Sequence, residues 1–514
     1  MATPSAQNVT VPTEAGFVRG VSDGATTRWL GVPYATAPTG VKRYTSALPV
    51  THWEGTRNTA MFGPSSWQPR TPMIRLPSQH TFSEQCLNLN IWSPADRESA
   101  EQLPVMVWIH GGASVIGSSA QPVYNGTVLS SEGRAVVVTL NYRLGVLGAL
   151  NFSHLNTKTQ AFESNLGLKD IVTALGWVQR NITHFGGDAD RVTLFGESAG
   201  AAAITSLMTA PQARDLFHRA IVQSAPATSV YGQERSTQIA DAYLHLMDVN
   251  PSDAPQLLLG SPAESLAESA MRLIYSIAEA EPGSLAYAPV VDGDFLPDYP
   301  VDVFRRGEQM PIPMIIGTNQ NEAALFKQFK SPVMPVTADA VNHMLENISA
   351  EGYASANAIS RVRAAYPAFP AERAAMQIST DAGIRMPAVW LASAHSAVAA
   401  TYMYRFDHST PVLKALGYGA AHATELPYVF GTIDTVRRLP GAGLMWLGGL
   451  SQARDVSREI RRRWLKFADG DLKDWPAYDT EKRSTQIFDR GVSSVNDPGA
   501  TTRNAWGDAP ISFR

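Results

Sequence analysis

The run Arg191-Val192-Thr193-Leu194-Phe195-Gly196-Glu197-Ser198-Ala199-Gly200-Ala201-Ala202-Ala203-Ile204 decides how the rest of the chain is read. Its first half is apolar and β-branched, the composition of a strand. Its second half is small and reads as a helix. Between them stands Gly-x-Ser-x-Gly. A serine on so sharp a turn sits in a strained backbone conformation, where side chains two positions to either side would collide. The turn lifts the hydroxyl clear of the sheet and beside unpaired N–H groups at a helix N-terminus. Such a serine can attack a carbonyl, and the oxyanion that forms meets donors. The pattern by itself also recurs as a plain turn, so the remaining chain must supply a base, a group to orient it and an oxyanion hole.

Composition narrows the classes. The 514 residues are 44% apolar and 17% charged, with net charge −4 and no long charged block. Neither nucleic acid nor an anionic membrane surface is indicated as a partner. No apolar run reaches the roughly 18 residues of a membrane span. Cys86 is the only cysteine, so no disulfide is possible within the chain. The polar stretch Met1–Pro12 lacks the order of a signal peptide, which suits a soluble cytoplasmic protein or the mature form of an exported one.

Strands alternate with helical spacing from about residue 104. Val105–Ile109 and Ala135–Leu140 read as strands buried on both faces. Ile171, Leu175 and Val178 recur at helical spacing, and further strands are expected at Arg191–Phe195, His218–Ser224, Met314–Gly317 and Thr401–Phe406. This βαβ order predicts an α/β fold with a large, mostly parallel sheet covered by helices on both faces. The segments of about 225–300 and 320–395 are too long for simple crossovers. They are expected to be insertions on the carboxyl side of the sheet, where open α/β sheets bind ligands.

The groups the serine needs occur in a definite order. His110-Gly111-Gly112-Ala113 follows the strand ending at Ile109, and its small residues let backbone N–H groups approach a substrate oxygen. Gly112, Ala113 and Ala199 are the expected oxyanion donors. Glu322 follows the Met314–Gly317 strand, while Asp292 and Asp294 read as a structural turn. Four histidines follow Glu322. His343 and His395 sit in helical patterns, His408 ends a strand, and His422 lies in the loop Gly419-Ala420-Ala421-His422. Ser198, Glu322, His422 is the chain order in which an α/β-hydrolase fold carries nucleophile, acid and base.

These residues together resemble the type-B carboxylesterase/lipase family, which includes cholinesterases and bacterial p-nitrobenzyl esterases. Gly31-Val32-Pro33-Tyr34-Ala35, Cys86-Leu87-Asn88-Leu89-Asn90-Ile91-Trp92, Asn141-Tyr142-Arg143-Leu144-Gly145, Phe185-Gly186-Gly187-Asp188 and the segment His422–Gly431 carry the resemblance beside Gly-Glu-Ser-Ala-Gly. It implies an α/β-hydrolase fold over 1–514, with Ser198 as nucleophile, Glu322 as triad acid and His422 as base. Asn321 and Ala323 replace the Asp and Gly usual beside the acid. Relatives often pair the cysteine at Cys86 with one in a Gly-Pro-x-Cys context. Here that stretch is Gly63-Pro64-Ser65-Ser66, which leaves Cys86 a buried, inert thiol. The loop Trp67–Gln85 has no tryptophan at its later end, which argues against choline esters. Ser114, beside Val115, stands where many relatives carry an aromatic, and widens the expected acyl pocket.

The expected activity is hydrolysis of a small-molecule carboxylic ester through an acyl-enzyme, with no metal or cofactor. A base of ordinary imidazole pKa would make activity rise through roughly pH 6–7. An amidase or carbamate hydrolase uses the same groups, and an idle adhesion or scaffold protein uses the same fold. Arg363, Arg373 and Arg385 in the insertions read as solvated surface rather than as partners of an anionic acyl group.

Overall fold

The structure, a computed structural model, describes residues 7–98 and 100–514; the first six residues of the polar N-terminal stretch lie outside them. Fifteen strands occur among the described residues. They are β1 (Gln7–Thr13), β2 (Gly16–Ser22), β3 (Thr26–Pro33), β4 (Ala35–Thr36), β5 (Leu48–Pro49), β6 (Thr56–Asn58), β7 (Asn88–Pro94), β8 (Leu103–Ile109), β9 (Val136–Leu140), β10 (Gly187–Glu197), β11 (Arg219–Gln223), β12 (Met314–Asn319), β13 (Thr401–Phe406), β14 (Ser484–Phe488) and β15 (Val492–Asn496). Thirteen form one sheet in the order β1-β2-β3-β7-β9-β8-β10-β11-β12-β13-β14-β15, with β6 beside β2.

The run from β9 through β8, β10, β11, β12 and β13 to β14 is parallel. Strands β8, β9 and β12 are buried along their whole length, as continuous apolar runs require. Antiparallel strands extend this block at both edges. They have no counterpart in the expected strand list; in β1 and β15 exposed residues break the apolar run. Strand β15 is half-buried only at Val492 and is otherwise exposed.

Helices cover both faces. On one face, Leu168, Ile171, Leu175 and Val178 of helix Leu166–Asn181 pack against β8 and β9 side chains. On the other, Val456, Ile460, Trp464 and Phe467 of helix Leu450–Asp469 pack on Trp108, Phe195 and Ile221. The two long segments of about 225–300 and 320–395 are largely helical. They share a second apolar core, in which Ile274, Met344, Ile348 and Ile378 join Val115 and Ile116 from the loop after β8. No helix among the described residues is long and apolar enough to cross a membrane.

Candidate active site

Strand β10 runs directly into helix Ala199–Leu207, and Ser198 is the single residue between them. Its φ of 57° and ψ of −126° are rarely adopted outside glycine. Holding it there costs on the order of 1–3 kcal/mol. Close packing demands the flanking glycines. A Cβ on Gly200 would lie 2.1 Å from the carbonyl oxygen of Ile109, and one on Gly196 would lie 2.8 Å from the same oxygen. The Ser198 N–H donates to the Gln223 carbonyl at 2.9 Å, which ties the turn to β11.

The loop after β8 bends back toward this turn. Ala113 and Ser114 both take left-handed backbone, with φ of 52° and 57°. Among the described residues, the N–H groups of Gly112, Ala113 and Ala199 reach no protein acceptor. All three residues line one cavity with Ser198, as do Ser114 and Val115. His110 braces the loop from behind. It is fully buried, its Nδ1–H donates to the Gly111 carbonyl at 2.9 Å, and its own carbonyl accepts the Tyr142 hydroxyl at 2.7 Å. Burial pulls its pKa down to about 4, so it is a neutral support.

Glu322 lies three residues beyond the end of β12 and is fully buried. One oxygen, Oε2, is 2.7 Å from His422 Nδ1, and as a carboxylate it accepts that proton. The other, Oε1, accepts from the Ser224 hydroxyl at 2.7 Å and from the Asn319 backbone N–H at 2.6 Å. The remaining candidates are engaged elsewhere. His343 is exposed on helix Ala338–Ala350. His395 is held by Gln309 and by the Ile312 carbonyl, and His408 faces Asp489. Asp292 accepts from Ser164, Asn165 and the N–H groups of Asp294 and Leu296, which is the structural turn expected of it.

Two further carboxylates converge on the site, and neither was singled out in the sequence. Glu197 precedes the serine in the motif, and its Oε1 lies 3.0 Å from His422 Nε2. That nitrogen makes no hydrogen bond of good geometry, to Ser198 or to any other described residue. Burial alone would lower the His422 pKa, but the Glu197 and Glu322 carboxylates outweigh it and hold the imidazole well above its ordinary value. The ordinary imidazole value assumed from the sequence therefore does not apply. Glu425 is buried behind them. It accepts from Gln223 Nε2 at 3.1 Å and Asn319 Nδ2 at 2.6 Å, while Gln223 Oε1 accepts the Trp464 indole N–H. Burial, reinforced by Glu197, pushes Glu425 up to about 8, so it is a neutral acid at pH 7. Glu197 was legible as part of the motif, but nothing local marks its approach to a histidine more than 200 residues away.

The cavity measures about 510 Å³ and is bounded by Ser198, His422, the loop Gly111–Ile116 and residues of the segments 225–300 and 320–395. None of Arg363, Arg373 and Arg385 lines it. Arg363 pairs with Glu346, and Arg385 with Asp381. A strained serine, an oriented imidazole and free N–H donors in one apolar cavity are the equipment for acyl transfer. The carboxylesterase family matches residues 7–501.

The chain belongs to the carboxylesterase family. Its activity is hydrolysis of carboxylic esters. The chain is 36% identical over 508 residues to the para-nitrobenzyl esterase of Bacillus subtilis (strain 168), covering 96% of this chain and 97% of that protein. It is 32% identical over 512 residues to the fumonisin B1 esterase of Sphingopyxis macrogoltabida, covering 96% and 88%. Among solved structures, a PNB esterase superposes with a TM-score of 0.86 at 34% identity, over 98% of this chain and all of that one. A Geobacillus stearothermophilus carboxylesterase gives 0.81 at 35% identity, over 97% and 100%. In this carboxylesterase Cys86 is buried and unpaired, and burial pushes its thiol up to about 12, which makes it inert.

Proposed function

We propose that Ser198, His422 and Glu322 are the catalytic triad, with the N–H groups of Gly112, Ala113 and Ala199 as the oxyanion hole. The observation that carries this reading is the strained Ser198 turn opening into the same cavity as an imidazole whose far nitrogen is fixed 2.7 Å from Glu322. Neutral His422 takes the Ser198 proton through Nε2 as Oγ attacks the ester carbonyl. The hydroxyl swings to Nε2 in the substrate complex, since catalytic hydrogen bonds often tighten only there. The tetrahedral oxyanion is held by the three N–H groups, each worth on the order of 3 kcal/mol. His422 returns the proton to the leaving alkoxide, and water repeats the cycle on the acyl-enzyme. Glu322 fixes the Nδ1–H tautomer throughout, so that Nε2 is the basic nitrogen.

On this reading 1–514 works as one catalytic domain, and the insertions of about 225–300 and 320–395 are its cap and pocket walls. Ser114 and Val115 belong to the substrate pocket. The substrate is a small-molecule ester. Matched p-nitrophenyl butyrate and butyryl p-nitroanilide test it: the ester should be turned over at least about 100-fold faster, and Ser198→Ala should lose both activities. An anilide cleaved as fast as the ester would move the assignment to an amidase.

A further inference from the structure

The charged or titratable residues lining the Ser198 cavity are Arg143, Glu197, His422 and the exposed Arg75. Arg143 is spent on Asp170, with Nε and Nη2 each 2.7 Å from a carboxylate oxygen. Beyond position 200, every lining residue except His422 is uncharged. This uncharged lining includes Ile274, Met344, Ile348 and Phe513 of the second apolar core. An ester group bound there is desolvated against hydrocarbon, so a charge on it would go unpaired.

Ile511, Ser512 and Phe513 enter this wall from far along the chain, and their anchoring is specific. The Arg235 guanidinium lies 4.9 Å from the centre of the Phe513 ring, and its Nε donates to the Arg514 carbonyl at 3.1 Å. Arg235 is itself paired with Glu281 and Glu351. The Tyr353 hydroxyl donates to the same carbonyl at 3.2 Å, and the Arg514 guanidinium pairs with Asp302. Arg235 and Tyr353 of the two long segments and Asp302 of helix Pro300–Arg306 thus grip the two residues after Ser512. Such a clasp fixes where the Phe513 ring stands, and only 4% of that residue is exposed.

We propose that Ile511–Phe513 is a specificity wall: it closes a subsite for a large, uncharged, apolar group of the ester, and Phe513 sets how long that group can be. This rests on Ser198 being the nucleophile. The preferred substrates are then neutral esters with one extended hydrocarbon or aromatic side, and an anionic terminus on that side is rejected.

The test compares kcat/KM of the wild type, Phe513→Ala and Phe513→Leu. The substrates are p-nitrophenyl esters of two- to twelve-carbon acids and acetates of two- to twelve-carbon alcohols. Shortening the wall by several carbon atoms should raise the ratio of longest to shortest substrate in one of the two series by about tenfold or more in Phe513→Ala. Phe513→Leu should give a smaller rise and covers the case where the alanine variant does not fold. p-Nitrophenyl monosuccinate should be at least about tenfold poorer than the butyrate. Length ratios unchanged in both series, or a succinate as good as the butyrate, would overturn the proposal. Failure of the triad reading is distinct: it appears as acetate turnover surviving Ser198→Ala, whatever the length ratios do.

Discussion

Glu322→Gln is a nearly isosteric change whose effect follows from one fixed donor. In the wild type, Glu322 Oε1 receives the Asn319 backbone N–H at 2.6 Å, and Oε2 receives His422 Nδ1–H at 2.7 Å. A glutamine has one oxygen and one NH2 for these two places. The Ser224 hydroxyl can rotate to suit either, but the Asn319 N–H cannot turn away. The amide oxygen must therefore face Asn319, and the NH2 must face His422 Nδ1. Nδ1 then has to accept, which moves the imidazole proton to Nε2. There it points at Glu197 Oε1, 3.0 Å away, which further favours the wrong tautomer. The base can no longer take the serine proton. The expected loss in kcat is about 10⁴-fold, or about 5.4 kcal/mol at about 1.36 kcal/mol per decade. Stability should barely change, because hydrogen bonds are rearranged rather than lost, so Tm should stay within about 3 °C. Steady-state turnover of p-nitrophenyl butyrate at pH 8, with a melting curve on the same sample, measures both. Glu322→Asp keeps an all-acceptor group and should lose far less. A glutamine variant within tenfold of wild-type kcat, or one no worse than the aspartate, would refute the tautomer argument.

Other consequences are open to measurement. Because Glu197 and Glu322 hold the His422 pKa above its ordinary value, the base stays protonated to higher pH, and kcat/KM falls as pH drops through that raised value. Glu197→Gln removes one of the two carboxylates and should shift the acid limb toward lower pH; an unmoved limb contradicts the electrostatic account. Glu425 is neutral in the folded chain up to about pH 8 but ionised when unfolded above about pH 4.5, so it makes stability decline with rising pH across that window. The decline is about 1.4 kcal/mol per pH unit. Glu425→Gln should flatten the slope of Tm against pH between 5 and 8 whatever its effect on absolute stability, and an unchanged slope counts against the assignment. Cys86 should resist a disulfide thiol reagent at pH 8 until the chain unfolds. Ser66 stands at the cysteine position of the Gly-Pro-x-Cys pattern, so Ser66→Cys should lose both free thiols on oxidation and gain about 3 kcal/mol by closing the loop.

What the sequence disclosed was local, and what it concealed was convergent. The serine turn, the His110–Ala113 loop and the His422 loop are short segments whose residue types carry their own geometry. Chain order then selected Glu322 and His422 from many carboxylates and eleven histidines. The parallel strands β8, β9 and β12 were legible because burial on both faces leaves apolar runs. The flanking strands were not, since β1 and β15 show polar residues to solvent. Helix Leu450–Asp469 carried a readable stripe at Ala453, Val456, Ile460, Trp464 and Phe467, but nothing in the motif argument led to it. Glu197 against His422, Glu425 between Gln223 and Asn319, and Phe513 in the cavity wall join residues hundreds of positions apart. No spacing rule reports such contacts, and the raised His422 pKa depends on the first of them.

The central claim is that Ser198 carries the acyl group. Incubation with a fluorophosphonate, proteolysis and mass mapping of the modified peptide test it most directly. The account predicts a single stoichiometric adduct on the peptide containing Gly196-Glu197-Ser198-Ala199-Gly200, located on Ser198 and formed in step with loss of esterase activity. Activity that persists after Ser198 is fully modified, or an inactivating adduct on another residue, would contradict it.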